Sequence, residues 1–417
     1  MPAFFSKISQ RPAIVILFFT IVQVLCTTWF LNIPNFSAIN SILFLISGTG
    51  ISFFLLKIPA LQIKKPILIN KQVPFKLLII AILLPVSYQL ARQILDATPL
   101  EKEYADMLPV MKTMCSRFIN GHWTQVYEPI PEIWNGIQPV YLPAMWLPFT
   151  SSLVFHFDMR WVTVSGIWLS VLLCVLPGIW KRNVLHILYA IALLVLLSWL
   201  HFDKVNNVIR LTEEGVVYFY YSLMVIAIIS GNPWLIGISA ALCLLSRYAI
   251  IGWIPFAGLY LLFTRQYKYL LKIVAAGSIV VLVILVLPFG WKPLLDHFQF
   301  QSQYIGQAAK VWNENPEFFY NSLGMAKFFG PGQTQLLHCI LLSGTFIIPI
   351  LFLVLLKKKT VATNIAMLSC FQLCITFFYS FLDVSYLYLY YTPVFVSLAI
   401  AGLALTVSEP NRHFKKL

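Results

Sequence analysis

An all-α polytopic membrane protein of about 12 transmembrane helices is the fold class predicted for this 417-residue chain, and three features predict it. Hydrophobic residues make up 59% of the sequence against 11% charged, and mean hydropathy is +0.82. Apolar runs of near-spanning length recur from end to end with short polar connections between them. A hydrocarbon core of about 30 Å needs about 20 predominantly apolar residues per helix, so the runs fill the chain and leave no room for a soluble domain. Residues 1–417 therefore read as one transmembrane domain.

In chain order the runs are Ile14–Leu31, Ile42–Leu56, Leu77–Leu95, Val162–Trp180, Val184–Leu200 and Val216–Ile229. They continue with Leu235–Leu245, Ile250–Phe263, Ile273–Pro288, Leu336–Leu356, Val361–Phe381 and Tyr391–Val407. The first is longer than a signal-peptide core and no small-residue cleavage pattern follows it, so it reads as a retained span. Leu235–Phe263 carries Arg247 in its middle, and two broken helices meeting there fit the charges better than one long crossing. Val140–Phe157 is apolar enough to span, yet Pro139, Pro143 and Pro148 break any long helix. It reads as a juxtamembrane or re-entrant element, with Tyr141, Trp146 and Trp161 at the lipid interface.

Charge supports this count. With the amino terminus inside, most of the 29 Lys and Arg fall in cytoplasmic segments, including Lys64-Lys65, Lys181-Arg182 and Lys357-Lys358-Lys359. All but Glu409 of the 15 Asp and Glu fall in or beside the external loops. The net charge of +14 thus reports orientation rather than a nucleic-acid partner. Of seven cysteines only Cys115 lies in a polar loop, so no disulfide framework is expected. No Walker loop, zinc pattern or dinucleotide fingerprint is present.

The chemistry collects on one side. The first external loop (96–161) holds Asp96, Glu101, Glu103, Asp106, Glu128, Glu132 and Asp158 among Trp, Tyr and Pro. The second (201–215) ends in Arg210-Leu211-Thr212-Glu213-Glu214, and the later one (290–335) mixes Gln, Asn, Trp and Tyr with Asp296 and His297. Amides and rings of this kind suit carbohydrate, and they are also ordinary loop residues. Tyr386, Tyr388, Tyr390 and Tyr391 read as an aromatic belt.

Asp106, Met114, Gly121-His122-Trp123, Gly136, Pro139 and Trp146 together resemble the first external loop of the GT-C glycosyltransferase superfamily. The nearest pattern is the branch of aminoarabinose transferases and protein O-mannosyltransferase-like enzymes. Met107 stands where that pattern has Glu, His122 where it has the Asp of Gly-Asp-Trp, and Gln138-Pro139-Val140 where it has Lys-Pro-Pro. The resemblance implies transfer of a sugar from a polyprenyl-phosphate-linked donor to a glycan, lipid or protein acceptor at the external face of a bacterial inner membrane. It makes Asp106 the catalytic base, with Asp96, Glu101 and Glu103 as alternatives. A solvated loop acid beside Lys102, or a cap for a helix starting near Leu108, is the plain reading of Asp106.

The resemblance also implies substrate contacts at Trp123, Gln138, Arg210, Glu213, Glu214 and Arg247. A guanidinium inside an apolar run needs a partner or must snorkel to the interface; the functional reading is a fork on the donor phosphate. Glu213 and Glu214 are open to three readings: holding a divalent cation (Mg or Mn) with Asp106, orienting the acceptor, or starting the next helix. Metal dependence stays undecided, because some relatives of this type use a cation and others do not. The competing classes are a transporter or flippase for a lipid-linked saccharide, and an envelope polysaccharide polymerase or ligase. A carrier would favour ionisable residues inside the spans and paired repeats, and no repeat is visible.

Overall fold

The computed structural model describes residues 12–58, 73–100, 107–133, 136–175, 184–202, 207–357 and 361–407. Asp106, Glu101, Glu103 and the pair Lys181-Arg182 lie outside the described residues. The helices that lead to the first long loop are α1 (Pro12–Thr27), α2 (Ser37–Leu55) and α3 (Val73–Ala97). That loop contains α4 (Leu108–Ile119), α5 (Pro143–Trp146) and α6 (Thr150–Val154). After it come α7 (Arg160–Val175), α8 (Val184–Phe202), the one-turn α9 (Val208–Leu211) and α10 (Gly215–Ser230). The second half runs through α11 (Pro233–Leu244), α12 (Trp253–Phe263), α13 (Tyr267–Phe289), α14 (Lys292–Glu314) and α15 (Glu317–Tyr320). It closes with α16 (Thr334–Leu356), α17 (Thr363–Ser380) and α18 (Tyr391–Val407). Six of these, α2, α8, α13, α16, α17 and α18, are long and apolar enough to cross a bilayer, which is the architecture of an all-α membrane protein. Five further apolar helices, at α1, α7, α10, α11 and the Tyr248–Phe263 segment, are of 10–17 residues.

α18 and α17 form the centre, with nearly every residue of both buried. Small hydroxyls and amides tie them to their neighbours, as expected where apolar burial gives little preference between lipid and protein. Gln372 Nε2 donates to Ser397 Oγ at 3.0 Å, joining α17 to α18. Ser52 Oγ donates to the Ser369 carbonyl at 2.7 Å, joining α2 to α17.

The first long loop is a framed unit. At its base the buried Arg160 guanidinium bonds the Asp158 carboxylate at 2.6 Å and donates to the Thr98 carbonyl at 2.7 Å and the Leu95 carbonyl at 3.2 Å. The cation thereby caps carbonyls at and just past the end of α3, the Leu95 one shared with the Thr98 N–H at 3.3 Å, and it joins the start of the loop to its end. Gly121, at φ +78°, ends α4 in the left-handed conformation, and the His122 N–H closes the cap on the Arg117 carbonyl at 2.9 Å. Val140–Phe157 is not one helix but α5, a 3-10 turn at Leu147–Phe149 and α6, broken at the prolines as the sequence indicates.

Two aromatic assignments are corrected. Trp146 is fully buried rather than at the lipid interface; its Nε1–H donates to the Tyr127 hydroxyl at 3.2 Å, and its ring packs on Phe289 at the end of α13. Phe289 also meets Phe118 and Tyr127, so one ring of α13 seats the whole loop. Tyr390 and Tyr391 are likewise buried in the core, not an interfacial belt, because Tyr390 packs edge-on against Phe44 of α2. Composition alone does not separate a ring that anchors in lipid headgroups from one that fills a core.

Candidate functional site

α11 stops at Leu244, and the chain passes through Leu245, Ser246 and an extended Arg247 before a 3-10 turn at Tyr248–Ile250 leads into α12. The Tyr221 hydroxyl of α10 donates to the Arg247 carbonyl at 2.8 Å, pinning the backbone where regular helix is lost. The side chain of Arg247 turns towards the start of α10. Its Nη2 lies 3.3 Å from Glu213 Oε1 and contacts Glu214 Oε1. Both glutamate side chains are buried, at 2% and 0% exposure, while the Arg247 side chain keeps 26%. Tyr141 of the first long loop faces the guanidinium at 5.7 Å from its ring centroid.

Neighbouring backbone explains why the glutamates arrive there. Gly166 of α7 and Gly215 of α10 meet so closely that a Cβ on Gly166 would stand 2.3 Å from the Gly215 carbonyl oxygen. Thr163 Oγ1 donates to the Thr212 carbonyl at 2.8 Å, and the Glu214 N–H donates to Thr212 Oγ1 at 3.3 Å. The crossing of α7 with α10 therefore fixes the two residues before Gly215. Glu214 sits at the cap position of α10 without a capping bond from its side chain, so it is not merely a first-turn acid. The three charged groups sum to one negative charge when all are ionised. Both Oε1 atoms face Arg247, the position a cation would otherwise take, while Arg247 Nε is buried without a hydrogen-bond partner among the described residues. Among the described residues no group of three or more His, Cys, Asp and Glu is placed to hold a metal ion.

The other residues singled out by sequence distribute around this centre. Gln138 is half-buried and its Nε2 donates to the Tyr127 carbonyl. The Tyr127 phenol is close enough to that of Tyr248, next to Arg247, for the two to influence each other electrostatically. Burial pushes the Tyr127 phenol up and the Trp146 hydrogen bond pulls it back in part. Trp123 stands 49% exposed, stacked on Phe118, with Nε1–H donating to the Phe118 carbonyl at 3.1 Å. Arg210 lies in α9, where its N–H donates to the Asn207 side chain at 3.1 Å. Asp106 lies outside the described residues. Cys115, the one cysteine the sequence places in a loop, is buried in α4, and burial pushes its thiol up to about 12, which leaves it inert at neutral pH.

The chain matches no family model, no curated protein and no solved structure. Its functional reading therefore stands on its own residues.

Three contributions were not visible in the sequence. Tyr141 covers Arg247, and Tyr379 of α17 is electrostatically coupled to both Glu214 and Arg247. His338 of α16 and Asp383, in the loop after α17, form a 2.6 Å contact between Nδ1 and Oδ2. The only sequence signal for that pair was a histidine and an aspartate each at the edge of an apolar run, 45 residues apart.

Proposed function

We propose that the protein is a multi-pass membrane glycosyltransferase that moves a sugar from a polyprenyl-phosphate-linked donor to an envelope acceptor. In this reading twelve segments cross a bacterial inner membrane and the three loops carrying the polar chemistry, 96–161, 201–215 and 290–335, lie outside it. The observation that carries the reading is the Arg247–Glu213–Glu214 constellation, enclosed at a helix break and covered by Tyr141 of the first long loop. Irregular backbone at membrane depth belongs where it lines a polar cavity, and ionisable groups there mark functional sites. A lipid-linked donor brings its own activated leaving group, which accords with a chain that has no nucleotide-binding motif. The part of the Arg247 side chain that stays exposed is what would meet the donor phosphate, while Glu213 and Glu214 hold its Nη2. Transfer also needs a base near the acceptor hydroxyl, the role that the resemblance gives to Asp106.

A carrier of lipid-linked saccharide is the second reading, favoured by the same buried charges at interrupted helices. Purified protein in nanodiscs, supplied with a radiolabelled polyprenyl-phosphate sugar and acceptor lipid extract, separates the two. Release of polyprenyl phosphate with label moving to acceptor supports the transferase. Transbilayer movement of intact donor in proteoliposomes, without bond cleavage, refutes it in favour of the carrier.

A further inference from the structure

His338 lies one turn inside α16, at the end of the bundle that bears the loops, and its side chain is 11% exposed. Its Nδ1 sits 2.6 Å from Oδ2 of Asp383, whose side chain is 4% exposed. An ionised carboxylate only accepts hydrogen bonds, so Nδ1 carries a proton and Nε2 is the ring nitrogen left to take one from a substrate. Nε2 has no hydrogen-bond partner among the described residues, and Asp383 Oδ1 is enclosed without one. A buried polar atom left unpaired is costly, and such atoms persist chiefly where they serve a function or hold an unseen solvent molecule.

The surroundings strengthen the pair. Leu337 and Val384, its immediate neighbours in sequence, pack with Ala308, Val311 and Trp312 of α14 and with Phe319. In such an apolar setting a hydrogen bond to a charged carboxylate gains strength, and it fixes the orientation of the ring. Among the described residues His338 is the only ionisable group that perturbs Asp383. Tyr379, coupled to Arg247 and Glu214, precedes Asp383 by four residues, a span of at most about 14 Å of chain.

We propose that His338 is a catalytic residue of the transfer reaction, its Nε2 accepting the proton of the acceptor hydroxyl, and that Asp383 is its positioning residue. The inference rests on the glycosyltransferase reading, and it moves to His338 the proton that the resemblance assigns to Asp106. In the step, the acceptor O–H proton passes to Nε2 as the acceptor oxygen bonds the anomeric carbon. The bond from that carbon to the phosphate oxygen breaks, its electron pair leaving with polyprenyl phosphate. The imidazolium is held by Asp383 until its proton passes to solvent.

The test is donor turnover by wild type, His338→Gln, His338→Ala, Asp383→Asn and Asp106→Asn, each in nanodiscs across pH 5 to 9. A wild-type rate that rises with pH is expected, as for any reaction that needs a deprotonated general base. His338→Gln should lose that limb and fall by about 10² to 10⁴-fold while still binding polyprenyl phosphate, which shows that it is folded. Added imidazole should restore part of the His338→Ala rate and none of the Asp106→Asn rate. Asp383→Asn should displace the limb rather than abolish it. Turnover by wild type with an unchanged rate and limb in His338→Gln overturns the assignment and leaves the transferase reading standing. Absence of donor cleavage in wild type overturns both.

Discussion

Replacing Arg247 with Ala strands two carboxylates that are 2% and 0% exposed. At the 3.3 Å separation from Glu213, an effective dielectric of about 20 gives an attraction of about 5 kcal/mol, and the Glu214 contact adds to it. Repulsion between the two glutamates and the 26% exposure of the Arg247 side chain reduce the net figure. Loss of one partner from a buried ion pair typically costs about 3–5 kcal/mol, which is the destabilisation expected for Arg247→Ala. The origin of that loss is the uncompensated charge, so adding Glu214→Gln to Arg247→Ala should recover at least about 2 kcal/mol of it. Unfolding in mixed SDS micelles followed by tryptophan fluorescence, for wild type, both single variants and the double variant, measures the cycle. An Arg247→Ala cost below about 1 kcal/mol, or a double variant no more stable than the single, would refute the claim that these charges hold one another at the helix break.

Gly166→Leu forces a side chain to within 2.3 Å of the Gly215 carbonyl oxygen; it should cost more than about 3 kcal/mol and reduce donor turnover, read by the same unfolding and cleavage assays. Arg160→Ala removes the guanidinium from the Leu95 and Thr98 carbonyls and from the Asp158 carboxylate, leaving Asp158 only the backbone N–H of residue 160, so limited proteolysis of the first long loop should accelerate by at least about tenfold while the remaining helices stay intact. Trp123→Ala removes an exposed ring stacked on Phe118 and should change stability by less than about 1 kcal/mol; a fall in turnover beyond tenfold would then report substrate contact. Burial holds the Asp383 carboxyl above its ordinary value of 3.8, so between 3.8 and the raised value the folded state binds more protons than the unfolded one. Stability therefore falls as pH rises through that window, and Asp383→Asn should flatten the slope in SDS unfolding midpoints measured from pH 4 to 7.

The interrupted helix was legible because one guanidinium inside an apolar run leaves few alternatives, and the acids of the second loop were legible because acids are scarce in this chain. Their meeting was not. Arg247 and Glu214 are 33 residues apart, and what joins them is a helix crossing set by Gly166 and Gly215, which carries no polar signature. The prolines of Val140–Phe157 announced a broken element, yet the burial of Trp146 depended on Phe289, far along the chain. Hydropathy located the helices but overstated several of them: the first apolar run, read to Leu31, is helical only to Thr27 before a 3-10 turn. Asp106 and the sugar donor it was assigned rest on motif likeness.

Half-length helices on either side of Arg247 set an order on membrane insertion. Pro233–Leu244 and Trp253–Phe263 are each well short of the roughly 20 residues that partition stably on their own, and a central Arg adds about 2.5–3.5 kcal/mol to the cost of entry. Glu213 and Glu214 precede Arg247 in the chain, so the partners for that charge are synthesised before the short pair that needs them. The nascent chain thus carries its own receptor for its least insertable segment.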